Sequence, residues 1–487
     1  MDGLELVKLF HADPSLIYEY VIETYELIRK VEDSIKSYIT LKPLDEVLKE
    51  CKIVSDKIKD GFKGRLAGLL IAVKDVISTK GLLTTCGSKM LSNYIPPYDA
   101  TVIERVSAEG GIIIGKTNMD EFAMGSTTEN SAFFITRNPW DLSRVPGGSS
   151  GGSATAVSAY EATISLGSDT GGSVRLPASY TGTVGVKPTY GLVSRYGLIS
   201  YGTSLEQVGP IVRDVSDAAL ILSVLSGHDP RDSTSLKVEA VDYTTFLKPI
   251  PLKKYRVAII KECINEGVDS SVLSSFNKSI YRLENEGFEV SEVSIPIIRY
   301  ALPTYYIIAM AEASSNLSRY DGIRYGYHVD VENKLWDEAY TESRSYGFGL
   351  EVKKRILLGT FVLSAGYYDQ YYLKASKVRK LLYDEFSRIL SHYDVVITPT
   401  APSLPPRIGE AISDPMKLYL SDIYTATVNL IGLPAMSIPA DIVNDLPVGI
   451  QLIGPRLSEG SLINIAYIHE VKSGLKNLIP TAVRPYV

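Results

Sequence analysis

The chain has 487 residues, 45% apolar and 22% charged, a makeup with ample material for a globular core. Its net charge of −6 argues against binding dominated by a phosphate backbone, because that affinity comes mostly from Lys and Arg. Any RNA is therefore expected to be held by a partner.

The opening MDGLELVKLF lacks the basic region of a secretory signal, and no apolar run approaches the ~20 residues of a membrane span. Cytoplasm is the expected location, with no membrane contact. Asp13-Pro14 marks a helix start. Ile17, Val21, Ile28, Val31 and Ile35 then fall at helical spacing, which predicts an amphipathic helix to about residue 38 and a second over 44–59. The run 66–73 is continuously apolar, as a strand buried on both faces is, and it delivers Lys74 and Asp75 at its end. A helix over 100–109, a strand over 111–115, a small-residue helix over 154–166 and strands at 184–186 and 207–212 follow. A βαβ pattern then spans 256–260, 270–286 and 288–295. Residues 303–324 and 340–388 read as mostly helical, and strands return at 395–398, 434–439 and 447–453. Alternating strands and helices predict an α/β fold. No Gly/Ser-rich linker separates independent units, so 1–487 is expected to be one domain. It includes a helical lead-in over about 1–60 and an inserted βαβ and helical block over about 250–390. Cys51, Cys86 and Cys263 show no metal-site or disulfide spacing and read as buried thiols.

The densest chemical signal is Pro146–Pro177, PGGSSGGSATAVSAYEATISLGSDTGGSVRLP. Glycine loses more backbone entropy on folding than any other residue, so two glycine-flanked serine clusters imply a need for bare backbone. A nucleophilic serine has that need, since its oxyanion must meet several converging N–H groups. Two other patterns are weighed against it. Residues 110–117, GGIIIGKT, fit a phosphate-binding loop, but the middle residues read as a strand whose N–H groups are consumed by a sheet. Residues 147–151, GGSSG, fit a nucleophile elbow, which requires a histidine base. None of His11, His228, His328, His392 or His469 has catalytic-looking neighbours. Lys74 qualifies as a base if burial lowers its pKa, while pairing with the adjacent Asp75 is the competing, purely structural reading.

Lys74 after an apolar strand, GGSSGGSA over 147–154 and GSDTGGSVRLPA over 167–178 together resemble the amidase signature family, and the Ser149-to-Ser173 separation, 173 − 149 = 24, fits its pattern. The resemblance implies a mixed, twisted central sheet covered by helices on both faces. It further implies a triad of Ser173 as nucleophile, Ser149 as bridging hydroxyl in a cis peptide and Lys74 as base. The amides of Thr170, Gly171, Gly172 and Ser173 would form the oxyanion hole. Segments 119–133, 227–235, 311–322 and 358–361 resemble one branch, the A subunits of glutamine-dependent aspartyl/glutamyl-tRNA amidotransferases, over nearly the whole chain.

That branch implies free glutamine as substrate, with Arg355 for its α-carboxylate, Asp422 for its α-ammonium and Tyr306 beside them. Without the resemblance, Arg355 and Asp422 read as solvated charges. It also implies that ammonia passes to a B subunit, which activates mischarged tRNA with ATP and Mg²⁺, and that a C subunit completes a heterotrimer. No cofactor or metal is expected in this chain. The sequence departs from the branch at Thr127, Leu176 and Tyr201-Gly202-Thr203, positions that bear on the pocket lining rather than the triad. Three other readings stay open: a stand-alone hydrolase of small amides with the same triad, an NTPase built on 110–117, and a purely structural subunit, which the intact Ser–Ser–Lys set disfavours.

Overall fold

The computed structural model describes residues 1–265, 267–330, 332–410 and 414–487. The first half of the chain supplies strands β1 (Tyr38–Leu41), β2 (Leu70–Lys74), β3 (Ile112–Thr117), β4 (Ile164–Asp169), β5 (Val184–Lys187) and β6 (Gln207–Val212). The second half supplies β7 (Arg256–Ile260), β8 (Glu289–Val293), β9 (Val395–Pro399), β10 (Ala435–Val443) and β11 (Leu446–Ile453). The described strands form one 11-stranded sheet in the order β1-β3-β2-β4-β6-β5-β10-β11-β9-β7-β8. β2 runs parallel to β3 and β4, and β7 runs parallel to β8 and β9. The remaining neighbours are antiparallel, so the sheet is mixed. Helices pack against it, among them Gly151–Ser158 on β4 and Arg175–Thr181 on β5, β10 and β11. This is the α/β architecture the sequence implied.

Strands β2 through β6 are buried at every residue, as a sheet covered on both faces requires. The strand within the 66–73 run starts only at Leu70, because Gly68 at φ +83° turns the chain first. The βαβ unit is present, with helix Ser270–Asn285 between β7 and β8, and β7 joins the main sheet through β9.

Several expectations need correction. The helix expected over 154–166 is a helix only over Gly151–Ser158; residues 159–163 turn the chain, and 164–166 already belong to strand β4. Both pieces are wholly buried, so neither shows the one-sided apolar pattern that separates helix from strand. A helix over Gly3–Ala12 precedes the one expected at Asp13-Pro14, closed by a reciprocal capping box between Asp2 and Glu5. The next helix covers Leu16–Ile35, and residues 38–41 are strand β1 rather than its end. Helix Val215–Leu225 went unread because all eleven of its residues are buried.

The sheet order explains how distant motifs meet. β2 and β4 are parallel neighbours, with Val73 opposite Leu166, so their C-terminal ends lie side by side. Ligand sites of open α/β sheets gather outside such strand ends. Lys74 closes β2, residues 168–175 leave β4, and the helix beginning at Gly151 starts beside them, its Ser150 amide donating to Ser173 O at 3.1 Å.

Candidate active site

Lys74 is 0% exposed, carried into the interior by a strand whose every residue is buried. Its Nζ donates to Ser149 Oγ at 2.7 Å, Ser168 Oγ at 2.9 Å and Ser168 O at 3.3 Å. All three partners are neutral. Burial lowers the ammonium's pKa to about 7, against the opposing pull of Asp120 and Asp169. Ser149 follows a cis peptide bond from Gly148 and is buried. Ser150 Oγ accepts from Ser168 N at 3.3 Å and donates to Ser168 O at 3.2 Å, stitching the serine loop to the end of β4. Ser173 is 7% exposed in the turn between β4 and helix Arg175–Thr181.

Asp75 does not pair with Lys74. Its carboxylate accepts from Thr85 N at 2.9 Å and from the Thr85 hydroxyl, and the nearest ammonium is that of Lys116, at 4.0 Å. Lys116 belongs to the loop-like pattern 110–117, which is strand β3 here, hydrogen bonded to β1 and β2. Its Nζ donates to Ile77 O at 2.5 Å and Thr84 Oγ1 at 2.7 Å, so it braces the interior. His469 is buried in helix Glu459–Ser473, where desolvation lowers its pKa to about 3 and keeps it neutral.

The turn around Ser173 is held from behind by charge. Asp169 takes Arg175 Nε and Nη2, both at 2.9 Å, and Asn429 Nδ2 at 2.9 Å. Arg175 also reaches Asn429 Oδ1 at 2.6 Å and the Gln451 side chain. Burial alone would raise the Asp169 pKa, but the Arg175 guanidinium holds it down at about 2. The Gly172 amide donates to Asp169 Oδ1 at 2.9 Å. That donor, expected in an oxyanion hole, is engaged by the scaffold. The amides of Thr170, Gly171 and Ser173 donate to no protein acceptor among the described residues. Two glycines are explained here: a Cβ on Gly171 would collide with the Tyr305 ring, and Gly172, at φ +131°, would collide with Thr425.

Arg355 and Asp422, which without the resemblance read as solvated charges, are 2% and 6% exposed. Arg355 donates through Nε to Glu351 at 2.8 Å and through Nη1 to the Tyr201 hydroxyl at 2.7 Å. Its guanidinium carbon lies 5.5 Å from the Tyr306 ring centroid. Tyr306 OH in turn donates to Asp422 Oδ2 at 3.1 Å, and Ser126 Oγ donates to the same oxygen at 2.7 Å. Burial pushes Asp422 up to about 7 despite those hydroxyls and Arg355. Thr425 Oγ1 donates to Gly171 O at 2.7 Å, so the segment that carries Asp422 is tied to the serine turn. Tyr306, Arg355 and Asp422 therefore form one cluster beside residues 169–173.

Sequence reasoning missed Ser126, Ser168, Glu351, Tyr305 and Thr425 in this cluster. Tyr201 was singled out only as a departure, and its place against Arg355 has no local signal. Of the departures, Thr127 Oγ1 accepts the Glu129 amide at 3.4 Å, and Leu176 is wholly buried. Among the described residues, no group of three or more His, Cys, Asp and Glu is arranged to hold a metal ion, and no helix is long and apolar enough to cross a membrane.

The Amidase family model matches residues 19–463. The chain is 52% identical over 466 residues to the A subunit of the glutamyl-tRNA(Gln) amidotransferase from Caldanaerobacter subterraneus subsp. tengcongensis, covering 96% of this chain and 95% of that protein. It is 54% identical over 445 residues to the protein of the same name from Thermoanaerobacter pseudethanolicus, covering 91% of each. The crystal structure of the Thermotoga maritima protein, again the A subunit of a glutamyl-tRNA(Gln) amidotransferase, superimposes with a TM-score of 0.82 at 41% identity, covering 99% of this chain and 97% of that one.

Proposed function

The chain belongs to the amidase family, and from that premise we propose that it is the glutaminase subunit of a tRNA-dependent amidotransferase. It hydrolyses the side-chain amide of glutamine and supplies ammonia for converting Glu-tRNA(Gln), Asp-tRNA(Asn) or both. The observation that carries the proposal is the buried Lys74 amine, at 2.7 Å from Ser149 Oγ with only neutral partners and a pKa drawn to about 7. A base needs an affinity near the working pH, and a lysine in water is far from it.

In this reading Ser173 Oγ attacks the amide carbon, and its proton passes through Ser149 to Lys74. The carbonyl oxygen, now negative, is met by the amides of Thr170, Gly171 and Ser173, while Gly172 stays with Asp169. Such a donor is worth about 3 kcal/mol in the transition state. As the C–N bond breaks, Lys74 returns the proton to the leaving nitrogen and ammonia departs. Water then attacks the γ-glutamyl ester by the reverse relay, releasing glutamate and restoring Ser173. Covalent catalysis divides one hard cleavage into two easier ones.

Arg355 receives the α-carboxylate and Asp422 the α-ammonium, with Tyr306 OH holding the latter's carboxylate in place. Ammonia then passes to a B subunit that uses ATP and Mg²⁺ on mischarged tRNA, with a C subunit completing the heterotrimer. This chain itself carries no cofactor in the proposal. Ser173→Ala is expected to lower glutamine hydrolysis by about 10⁴-fold or more with Tm near that of the wild type. Retained turnover in that variant would overturn the assignment. Supplying glutamine with Asp-tRNA or Glu-tRNA to the reconstituted complex, and measuring which is amidated, identifies the tRNA served.

A further inference from the structure

Tyr201 is 1% exposed, and its hydroxyl accepts from Arg355 Nη1 at 2.7 Å. A guanidinium carries five N–H donors in a rigid plane. Glu351 engages Nε and Tyr201 engages one hydrogen of Nη1, and Nη2 has no protein acceptor among the described residues. Two neighbours therefore fix the rotation of the fork, and the hydrogens left open lie on Nη1 and Nη2. A carboxylate fits that end as a two-point acceptor. The Tyr201 backbone is itself pinned, its amide donating to Glu206 Oε2 at 3.1 Å, and Glu206 is held by the Arg195 guanidinium at 3.8 Å. On the other side the Arg355 guanidinium lies over the Tyr306 ring, which meets the Tyr305 ring edge-on with centroids 5.0 Å apart, and the Tyr305 ring lies against Gly171 where no Cβ fits. Packed contacts thus run from the carboxylate anchor to the turn that carries Ser173.

We propose that Tyr201 determines specificity for amides that bear a free α-carboxylate: its hydroxyl sets the orientation of Arg355 so that the open Nη1–Nη2 edge faces the substrate. This rests on the glutaminase reading and adds a residue that acts through Arg355. Tyr201 is a positioning residue, since it need not touch the reacting atoms. A phenylalanine at 201 keeps the ring and its packing but leaves the guanidinium free to turn, so it weakens recognition without altering the triad. Amides with no α-carboxylate make no use of Arg355 and are indifferent to the hydroxyl.

The test compares Tyr201→Phe with the wild type in the assembled complex, using glutamine and butyramide. The expected result is a rise of about tenfold in KM for glutamine, the worth of one hydrogen bond to a charged group, with kcat and butyramide hydrolysis unchanged. An unchanged KM for glutamine, or equal losses on both substrates, overturns the proposal. Arg355→Lys and the double variant guard against a folding defect. If Tyr201 acts through Arg355, adding Tyr201→Phe to Arg355→Lys changes glutamine KM by less than about twofold, whereas a full further tenfold rise contradicts it. The Ser173→Ala control separates the two claims. Residual glutamine turnover there sinks the triad reading, while loss of turnover there with no effect of Tyr201→Phe sinks only this one.

Discussion

Asp169 and Asp422 are both buried carboxylates tied to the same turn, and they are kept in opposite conditions. Asp169 has a resident counterion, Arg175, with Asn429 and several amides completing its shell, and its pKa is held near 2. Among the described residues, Asp422 has only the hydroxyls of Ser126 and Tyr306 within hydrogen-bond reach, and its pKa is pushed up to about 7. The first is a finished network that fixes the geometry of residues 169–173. The second is a charge left without its cation, the condition expected of a group that waits for a ligand's ammonium. Lys74 and Lys116, at the ends of adjacent parallel strands, repeat the contrast: Lys116 braces backbone and shares Asp75, and Lys74 faces serines. In these two pairs the structural charge is held by its partners, and the charge proposed to meet substrate faces neutral groups.

The sharpest way to break that contrast is to remove a partner from the finished side. Arg175→Met leaves Asp169 buried without its cation and should cost ~3–5 kcal/mol of stability, with activity lost as a consequence. Thermal or denaturant unfolding reads the effect directly, and a neutral result would mean that Asp169 is not held by this pair. Lys74→Met should behave in the opposite way, abolishing glutamine hydrolysis without loss of stability. The lowered pKa means that the unfolded chain binds an extra proton between about 7 and 10.5. The wild type therefore gains stability from this group as pH rises across that window, and the Met variant should be more stable at pH 7 and lack that slope.

Asp422→Asn comes next, with glutamine KM raised on the order of 10- to 100-fold, kcat less affected and stability unchanged or improved at pH 8. The two carboxylates should also give pH effects of opposite sign. Asp169, with a depressed pKa, contributes stability that is lost as pH falls from about 4 toward 2. Asp422, with a raised one, favours the folded state increasingly as pH falls from about 7 toward 4. A smaller but diagnostic effect lies in the rates. Lys74 and Asp422 must both be unprotonated in the free enzyme, so kcat/KM should fall below pH 7 with a limb steeper than that of kcat, in which bound ammonium keeps Asp422 charged. Asp422→Asn should make the two limbs alike, and a profile flat to pH 5 would contradict a lysine base.

How much of this could be read from residues alone depended on whether the local pattern carried the environment. Lys74 was legible because an apolar run of strand length announces burial, and burial is what shifts a lysine. Whether Asp75 served it was not legible, because that depends on the β2–β3 register, which sets Val73 opposite Lys116. The serine clusters were legible through their glycines. Arg355 and Asp422 were not, without the resemblance. Helix Leu350–Leu363 inverts the usual amphipathic rule: Leu357, Leu358 and Phe361 are exposed, and Glu351 and Arg355 are buried. The start of strand β4, 164–166, falls within the expected helix because a segment enclosed on every side loses the periodicity by which either element is recognised.

The central claim is that Ser173, activated through Ser149 and Lys74, forms a covalent bond to Cδ, the side-chain amide carbon of glutamine. Its most direct test is mass spectrometry of the assembled complex after exposure to a glutamine analogue bearing an electrophilic carbon at the amide position. The account predicts a single adduct on Ser173, absent from Ser173→Ala and formed far more slowly in Lys74→Met. An adduct on another residue, or efficient glutamine hydrolysis with no labelling at Ser173, would contradict it.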